Sequence, residues 1–241
     1  MEFIIFGSGS GLPVLDKGLS SIYVEHQGKK LLFDCGEGSS YHLLRHGLCQ
    51  DEIDAIIISH YHPDHATGLL MLIQMLYLQQ RSKRLQVFLP ERVADFEAIL
   101  QFHYTFKQRW PFELHLHPME ELPHIYPQVQ IHLTDHLEGY KDIIQELGLP
   151  NQMKSWAFRM DNWVYSSDIE TTDCLAPILQ NLDTLVVDAL HPKLEQILKL
   201  KEYRIRQIIL NHGLSPELDE WLQNNEHGNF IVAEENVPYH I

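Results

Sequence analysis

The sequence predicts an α/β fold built from two related halves. Short apolar runs alternate with segments of helical spacing, the pattern of sheets covered by helices. A pattern of strand, helix and strand ending in His runs from residue 31 to residue 60 and recurs from residue 185 to residue 212. Two halves of this kind, facing each other, would bring both sets of strand ends to one edge.

The first half is predicted to carry strands at 3–6, 21–25, 30–33, 55–59, 85–90 and 113–117, and helices at 39–47, 68–78 and 92–101. The loop His26–Lys29 contains Gly28 and predicts a hairpin between the second and third strands. Gly7–Gly11 resembles a nucleotide loop, but Leu12 replaces the third glycine of that motif and no helix begins there. We therefore interpret this region as sheet and turn.

The second half is predicted to carry strands at 128–133, 156–160, 163–165, 185–188 and 207–212, and a helix at 137–148. Residues 156–160 and 163–165 form a hairpin across Asp161-Asn162. The helix at 137–148 follows His136 directly, and we expect it to act as a lid over a pocket. Aromatic residues mixed with basic ones at 101–110 are expected to pack, with base stacking as the less favoured alternative.

The most informative stretch is His60-Tyr61-His62-Pro63-Asp64-His65, which holds three imidazoles and a carboxylate within six residues. It follows the apolar run 55–59, so the cluster leaves a buried strand, and Pro63 then favours a helix start. Neutral imidazole and ionised carboxylate bind divalent transition metals, and four such groups on one tight turn could not all fill the shell of a single tetrahedral ion. The spacing predicts two neighbouring metal ions.

Composition and charge limit the remaining possibilities. The 241 residues show no linker-like shift in composition, which predicts a single domain over residues 1–241. Eighteen basic against 33 acidic residues give a net charge of −15, which disfavours a general nucleic-acid binder. Three cysteines without pairing-like spacing predict a reducing compartment. A strand directly after Met1 leaves no room for a leader, and no apolar run is long enough to span a bilayer. We expect a cytoplasmic protein.

Positions 60, 62, 64 and 65 match the His-x-His-x-Asp-His signature of the metallo-β-lactamase superfamily, which the sequence resembles. Within it, the stretches 6–13, 20–21 and 32–38 resemble most the branch of ribonuclease Z and small-molecule phosphodiesterases. The resemblance implies a four-layer αββα sandwich of two pseudo-symmetric halves. It also implies two divalent ions, of which zinc or manganese is expected and iron is an alternative.

The resemblance further implies a role for individual residues. His60, His62 and His136 would hold one ion, Asp64, His65 and His212 the other, and Asp168 would bridge the two. His136 is chosen because it follows a strand end, and His132 is the runner-up. Asp34 would lie beside the ions without binding them. Asp64 also counts as catalytic, and His191, in Asp188–Pro192, is the candidate general acid, with an exposed His at a helix start as the alternative.

A dinuclear metal-dependent hydrolase of a small or cyclic phosphodiester is the predicted function, acting through a hydroxide that bridges the metal ions. A ribonuclease Z-like tRNA 3′ endonuclease is the first alternative, although the long Gly/Pro-rich arm of that family has no counterpart here. The same centre could hydrolyse an ester, thioester or lactone, and a non-catalytic relative that handles a cofactor is the last alternative. The expected partner is a small-molecule substrate rather than a nucleic acid or a membrane, and a homodimer is a further expectation.

Overall fold

The computed structural model describes residues 1–48 and 51–241, so Cys49, one of the three cysteines without pairing-like spacing, lies outside the described residues. The strands are β1 (Glu2–Gly7), β2 (Ser21–His26), β3 (Lys29–Phe33), β4 (Ala55–Ile57), β5 (Leu85–Leu89), β6 (Leu114–Pro118), β7 (Gln130–Leu133), β8 (Trp156–Met160), β9 (Trp163–Tyr165), β10 (Thr184–Asp188), β11 (Gln207–Asn211), β12 (Phe230–Val232) and β13 (Pro238–His240). The α-helices are α1 (Ser39–Arg45), α2 (Pro63–Ala66), α3 (Gly68–Leu78), α4 (Val93–Phe102), α5 (Leu122–Ile125), α6 (Lys141–Leu147), α7 (Leu194–Lys199) and α8 (Pro216–Asn224).

The chain divides into two compact units. Unit 1 contains residues 1–121 and 234–240, and unit 2 contains residues 122–233 and Ile241. Each unit has its own sheet and its own apolar core. The predicted α/β class is therefore confirmed.

Unit 1 is built on a seven-stranded sheet in the order β13-β1-β2-β3-β4-β5-β6. The strands β1, β2 and β3 pair antiparallel, whereas β3, β4, β5 and β6 pair parallel. Parallel strands covered by helices read as continuous apolar runs, and all three residues of β4 are buried. Ile56 and Leu32 from the sheet pack in one core with Leu69, Leu72 and Ile73 of α3.

Unit 2 repeats this pairing in a six-stranded sheet, in the order β12-β11-β10-β9-β8-β7. The strands β7, β8 and β9 pair antiparallel, and β9, β10, β11 and β12 pair parallel. Its core includes Val187 of β10, Ile208 of β11 and Leu218 of α8. Ser215 begins α8 by accepting a hydrogen bond from the Leu218 amide at 3.2 Å, a helix start that Pro216 also favours.

The two sheets have equal pairing patterns, which agrees with the predicted two related halves. However, the strands that correspond between the sheets are not the strands that the sequence repeat matched. The repeat aligned β3 and β4 with β10 and β11, whereas the pairing order makes β9 equivalent to β3. The sequence matched β10 with β3 because β10 ends in Asp188 and β3 is followed directly by Asp34. In its sheet, however, β10 occupies the position that β4 has in the other sheet. Asp168, which follows β9, is therefore the counterpart of Asp34, which follows β3.

Element boundaries follow the sequence closely, with small shifts. The run 55–59 forms a strand only over Ala55–Ile57, because the chain leaves the sheet before Ser59. The predicted helix 137–148 begins as a 3-10 turn at Glu138–Tyr140 and continues as α6, which ends at Gly148 in the left-handed conformation that glycine accepts. Among the described residues, no helix is both long and apolar enough to cross a membrane.

Candidate metal centre

The first cluster consists of His60, His62, Asp64 and His65 in unit 1. After β4 the chain runs extended to His62, which precedes α2, and Pro63 occupies the first position of that helix. Proline is favoured there because its fixed φ suits a helix start and its missing N–H would have no partner. Asp64 and His65 therefore lie in the first helical turn, while His60 and His62 lie on the segment that enters it.

The side chains of the first cluster converge. The ring centroids of His60 and His62 are 4.7 Å apart, and those of His60 and His65 are 4.2 Å apart. Nε2 of His65 lies 3.6 Å from Oδ2 of Asp64. His60, Asp64 and His65 are buried, a state that imidazoles and carboxylates reach in proteins when they are paired or bind metals.

Asp34 contacts two residues of the segment that carries the first cluster and fixes their position. Its Oδ1 accepts the Ser59 amide at 2.7 Å, and its Oδ2 lies 2.8 Å from Nδ1 of His65. Because a carboxylate only accepts hydrogen bonds, Nδ1 of His65 carries the proton and Nε2 carries the lone pair. A carboxylate that fixes an imidazole in this way is a common support of metal-binding His residues. Asp34 has a left-handed φ of 59°, a conformation that Asp adopts more readily than most non-glycine residues.

The second cluster consists of His136, Asp168 and His212 in unit 2. These residues follow β7, β9 and β11, so each lies at the carboxyl end of a strand. Nε2 of His136 lies 3.5 Å from Oδ2 of Asp168, and Nε2 of His212 lies 3.1 Å from the same oxygen. Asp168 and His212 are buried. One carboxylate oxygen is therefore approached by two imidazoles, the arrangement expected around a shared ligand.

The structure distinguishes His136 from the runner-up His132. Nε2 of His132 lies 2.7 Å from the Cys174 carbonyl oxygen, which requires the imidazole to donate this hydrogen bond. His132 thus joins β7 to the segment after Asp168. His136 instead contacts Asp168 directly, which favours it as the third imidazole.

Asp135 supports the turn that follows Asp168, a role that the sequence did not indicate. Its Oδ1 accepts the Glu170 amide at 2.8 Å and the Thr171 amide at 3.3 Å, and its Oδ2 accepts the Thr171 hydroxyl at 2.5 Å. Thr134 also donates from its hydroxyl to the Asp168 carbonyl at 3.2 Å. The end of β7 therefore holds the turn that carries Asp168. The only sequence signal was the pair Thr134-Asp135 directly before a candidate ligand.

His191 lies beside the second cluster and is held by Asp188. Nδ1 of His191 is 2.7 Å from Oδ2 of Asp188, and its ring centroid is 4.9 Å from that of His136 and 5.4 Å from that of His212. The hydrogen bond that His191 donates to Asp188 is the main cause that raises the pKa of His191 from 6.5 to about 9, while burial opposes this shift. His191 is therefore protonated at neutral pH. It precedes α7 by three residues rather than standing at the helix start.

The backbone of the second cluster shares the strain of the first. His212 has a φ of 63° and Ser167, directly before Asp168, has a φ of 50°. Left-handed conformations of non-glycine residues destabilise a fold by about 1 to 3 kcal/mol each and persist where the surrounding structure imposes them. Both units therefore hold strained backbone at the ends of their strands, next to the clustered side chains.

The thiols of the described residues are not available as ligands. Cys35 is buried and Cys174 is half-buried, and neither forms a disulfide. Burial is the main cause that raises the pKa of each thiol to about 12. Since a thiolate is the form that binds metals, neither cysteine competes with the imidazoles and carboxylates.

A protein-family model described as anti-Pycsar protein Apyc1 matches residues 1–237. The chain belongs to this family. The match covers both clusters of the Apyc1 family member, together with Asp34, Asp135 and His191.

Curated relatives match parts of the chain. A ribonuclease Z of Halalkalibacterium halodurans is 30% identical over 164 residues, which cover 66% of this chain and 48% of the relative. A ribonuclease Z of Salinibacter ruber is 41% identical over 90 residues, which cover 37% of this chain and 28% of the relative. The chain thus spans less than half the length of these relatives.

Solved structures resemble this Apyc1 family member over its full length. A diphosphatase of the PhnP family has a TM-score of 0.71 at 16% identity and covers 100% of this chain and 97% of its own. The short form of human tRNase Z has a TM-score of 0.71 at 18% identity, with coverage of 100% and 99%. The metallo-β-lactamase fold protein YhfI of Bacillus subtilis has a TM-score of 0.67 at 19% identity, with coverage of 99% and 98%. At these identities the likeness shows the fold.

These comparisons decide the fold and the family. The predicted metallo-β-lactamase fold is confirmed, and so is membership in the superfamily of metal-dependent hydrolases, in the branch of ribonuclease Z and the phosphodiesterases. Among the described residues, His and Asp side chains that could hold a metal ion are clustered.

Proposed function

We propose that the first and second clusters together bind two divalent metal ions, and that the protein hydrolyses a small phosphodiester, cyclic ones included. The observation that carries the proposal is the placement of buried imidazoles and carboxylates at strand ends in both units, with a carboxylate hydrogen-bonded to an imidazole in each. Neither cluster alone supplies the six or more ligands that two ions need.

The donor atoms fit divalent ions of intermediate hardness. Imidazole nitrogens and carboxylate oxygens without thiolates suit zinc, manganese or iron(II). The lone pair of His65 lies on Nε2 because Asp34 holds the proton on Nδ1. Zinc or manganese is the proposed occupant, since both accept this mixture of ligands.

The proposed roles follow the superfamily signature residue by residue. By the resemblance, His60, His62 and His136 would hold one ion, and Asp64, His65 and His212 would hold the other. Asp168 would serve both, a role supported by the two imidazoles that approach its Oδ2.

The chain's own residues supply the remaining chemistry. Two divalent ions, when bound, lower the pKa of a water molecule and polarise the oxygens of a phosphoryl group. Departure of an alkoxide requires a proton, and His191 is the proposed donor because Asp188 keeps it protonated at neutral pH. Asp188 also accepts the amides of Ile169 and Leu190, so the carboxylate is fixed and the imidazole has one orientation.

Transfer-RNA processing is the second candidate function, and the ribonuclease Z relatives favour it. The net charge of −15 opposes it. A protein binds RNA tightly when its basic side chains neutralise the phosphates and release their counterions, and an excess of acidic residues works against this. A small phosphodiester carries one negative charge and does not meet this barrier.

A substrate panel on metal-loaded protein tests the proposal. The panel contains cyclic nucleotides, bis(4-nitrophenyl) phosphate, a precursor tRNA with a 3′ trailer, a thioester and a lactone. We expect metal-dependent turnover of the small diesters and weak, salt-sensitive binding of the tRNA. Accurate removal of the trailer would establish the second candidate, and turnover of only the thioester or lactone would overturn the phosphodiester proposal.

A further inference from the structure

The loop between β1 and β2 is held firmly at its base. The Gly9 amide donates to the Gly18 carbonyl at 2.8 Å, so the two arms of the loop lie side by side. A Cβ on Gly7 would lie 1.9 Å from the Leu19 carbonyl oxygen, which leaves room only for glycine. Glu235 accepts the Ser8 amide at 2.8 Å and the Gly18 amide at 3.0 Å. The loop therefore leaves the sheet in a fixed direction.

The first part of this loop, up to Gly11, passes beside Asp64 of the first cluster. A Cβ on Gly11 would lie 3.5 to 3.7 Å from all three atoms of the Asp64 carboxyl group, which is ordinary van der Waals contact. Residue 12 is thus one peptide away from a proposed metal ligand. The segment that follows Gly11 therefore begins beside that carboxylate.

The tip after Gly11 is apolar and exposed. It consists of Leu12, Pro13, Val14 and Leu15, with Leu12 77% exposed and Leu15 fully exposed. A single exposed leucine is ordinary, but a run of four exposed apolar residues exposes surface to water without stabilising the fold. The isolated bridge between Val14 and Lys17 gives the tip a defined turn. We call residues 12–15 the apolar tip.

We propose that the apolar tip binds the organic group of the substrate, so that the preferred phosphodiester carries an apolar or aromatic substituent on the phosphate group. This inference rests on the proposed function and deepens it. The phosphate group would lie at the proposed metal ligands, and Gly11, which lies beside one of them, Asp64, directly precedes the tip. Burial of apolar surface then selects the substituent, while the metal ions select the phosphate.

Two diesters that share the same leaving group test the contact between the apolar tip and the group that stays on phosphorus. Bis(4-nitrophenyl) phosphate and methyl 4-nitrophenyl phosphate both release 4-nitrophenolate but differ in the group that stays on phosphorus. We expect the double variant Leu12→Ser/Leu15→Ser to lower kcat/KM for the bis-aryl diester about tenfold, through KM, and to leave the methyl diester nearly unchanged. Leu78→Ser, which replaces another exposed leucine at the end of α3, is the control and should change neither.

Binding gives a second readout that does not depend on turnover. Titration calorimetry of zinc-loaded protein with diphenyl phosphate should show about tenfold weaker binding in the double variant, with dimethyl phosphate unaffected. Equal losses for both diesters, or no loss for either, would overturn the inference. A fall in molecular mass by sedimentation would also overturn it, because the tip would then join copies of the chain. Absence of metal uptake and of hydrolysis in the unsubstituted chain would overturn the proposed function itself.

Discussion

Asp34 and Asp188 perform the same task on different residues. Each ends a buried strand, and each lies within hydrogen-bond distance of Nδ1 of an imidazole, at 2.8 Å for His65 and 2.7 Å for His191. Each also accepts backbone amides, so its position does not depend on the imidazole. The carboxylates therefore set the tautomer and direction of the rings, which is the property that a metal ligand and a proton donor both need.

Asp135 should matter for metal binding although it is not a proposed ligand. Asp135→Ala removes the acceptors that hold residues 170 and 171, so the Asp168 carboxylate loses its fixed position. We expect zinc affinity, measured by competition with a chelator, to fall about 10- to 100-fold, the usual effect of losing a residue that supports a ligand.

Asp173→Ala is the matched control, because Asp173 is an exposed carboxylate in the same region that pairs only with exposed Lys199 in the described structure. Its zinc affinity should equal that of the unsubstituted chain. An Asp135→Ala protein with normal zinc affinity would show that the turn holds Asp168 without this carboxylate. Thermal unfolding of both metal-free variants separates lost affinity from lost folding.

His191→Ala tests the proton donor. For a phosphodiester with an alkyl leaving group we expect kcat to fall about 10²- to 10⁴-fold with metal content unchanged. A 4-nitrophenyl ester should lose far less, because 4-nitrophenolate leaves without a proton. Equal losses on both substrates would mean that His191 positions the phosphate group instead, and no loss on either would remove it from the reaction.

At the scale of elements, the position of the segment that carries the first cluster depends on how closely the start of α3 approaches the end of β3. The Gly68 amide donates to the Cys35 carbonyl at 2.9 Å, and a Cβ on Gly68 would lie 2.0 Å from the Gly36 carbonyl oxygen. Cys35 also donates its amide to the His65 carbonyl at 2.8 Å. The helix start and the strand end therefore contact each other through backbone atoms, directly behind His65 and Asp34.

Gly68→Ala should destabilise the protein despite the higher helix propensity of alanine. That propensity is worth about 1 kcal/mol, whereas forcing two backbone segments apart costs about 2 to 3 kcal/mol or more. We expect a clear fall in the midpoint of chemical unfolding. Gly139→Ala, at a position where a Cβ meets nothing within 4 Å, should stay within about 0.5 kcal/mol. Equal stability of the two variants would contradict the close approach.

Most of the elements were readable from the sequence because their signals are local, whereas α5, α8, β12 and β13 were not predicted. Alternation and apolar runs gave the strands, and Gly28 and Gly148 marked a hairpin and a helix end. The close approach at Gly68 could not be read, since it depends on Gly36, which is distant along the chain. The same is true of Asp135, whose partners lie 35 and 36 residues away.

The proposed metal-binding residues divide in the same way. The first cluster was readable because its four side chains are within six residues, whereas the second is assembled from three separate strand ends. Its members were predicted only through the superfamily signature. His136 was preferred to His132 because it follows a strand end, and the hydrogen bond from His132 to the Cys174 carbonyl, which the sequence does not reveal, supports that preference.

At the scale of the whole molecule, the chain returns to unit 1 after it has formed unit 2. Residues 234–240 belong to unit 1, where β13 pairs with β1 and Glu235 holds the base of the β1–β2 loop. Unit 1 is therefore complete only when the last residues are in place. A single cooperative domain remains our prediction for residues 1–241.

Glu235→Ala tests this prediction. It leaves the Ser8 and Gly18 amides without their carboxylate acceptor, and we expect a loss of about 3 kcal/mol in the free energy of unfolding. If the chain is one domain, fluorescence and circular dichroism should report one shared transition at a lower midpoint. Glu234→Ala, an exposed neighbour, should leave the midpoint unchanged. Two separated transitions would contradict a single domain.

The central claim is that the first and second clusters together bind two divalent ions, and the metal content of the purified protein tests it most directly. Elemental analysis of protein loaded with zinc or manganese should give about two ions per chain, and Asp168→Ala should lower this number more than any other single substitution because its carboxylate is shared. Protein that holds no transition metal after such loading, or Asp168→Ala that keeps its full content, would contradict the account.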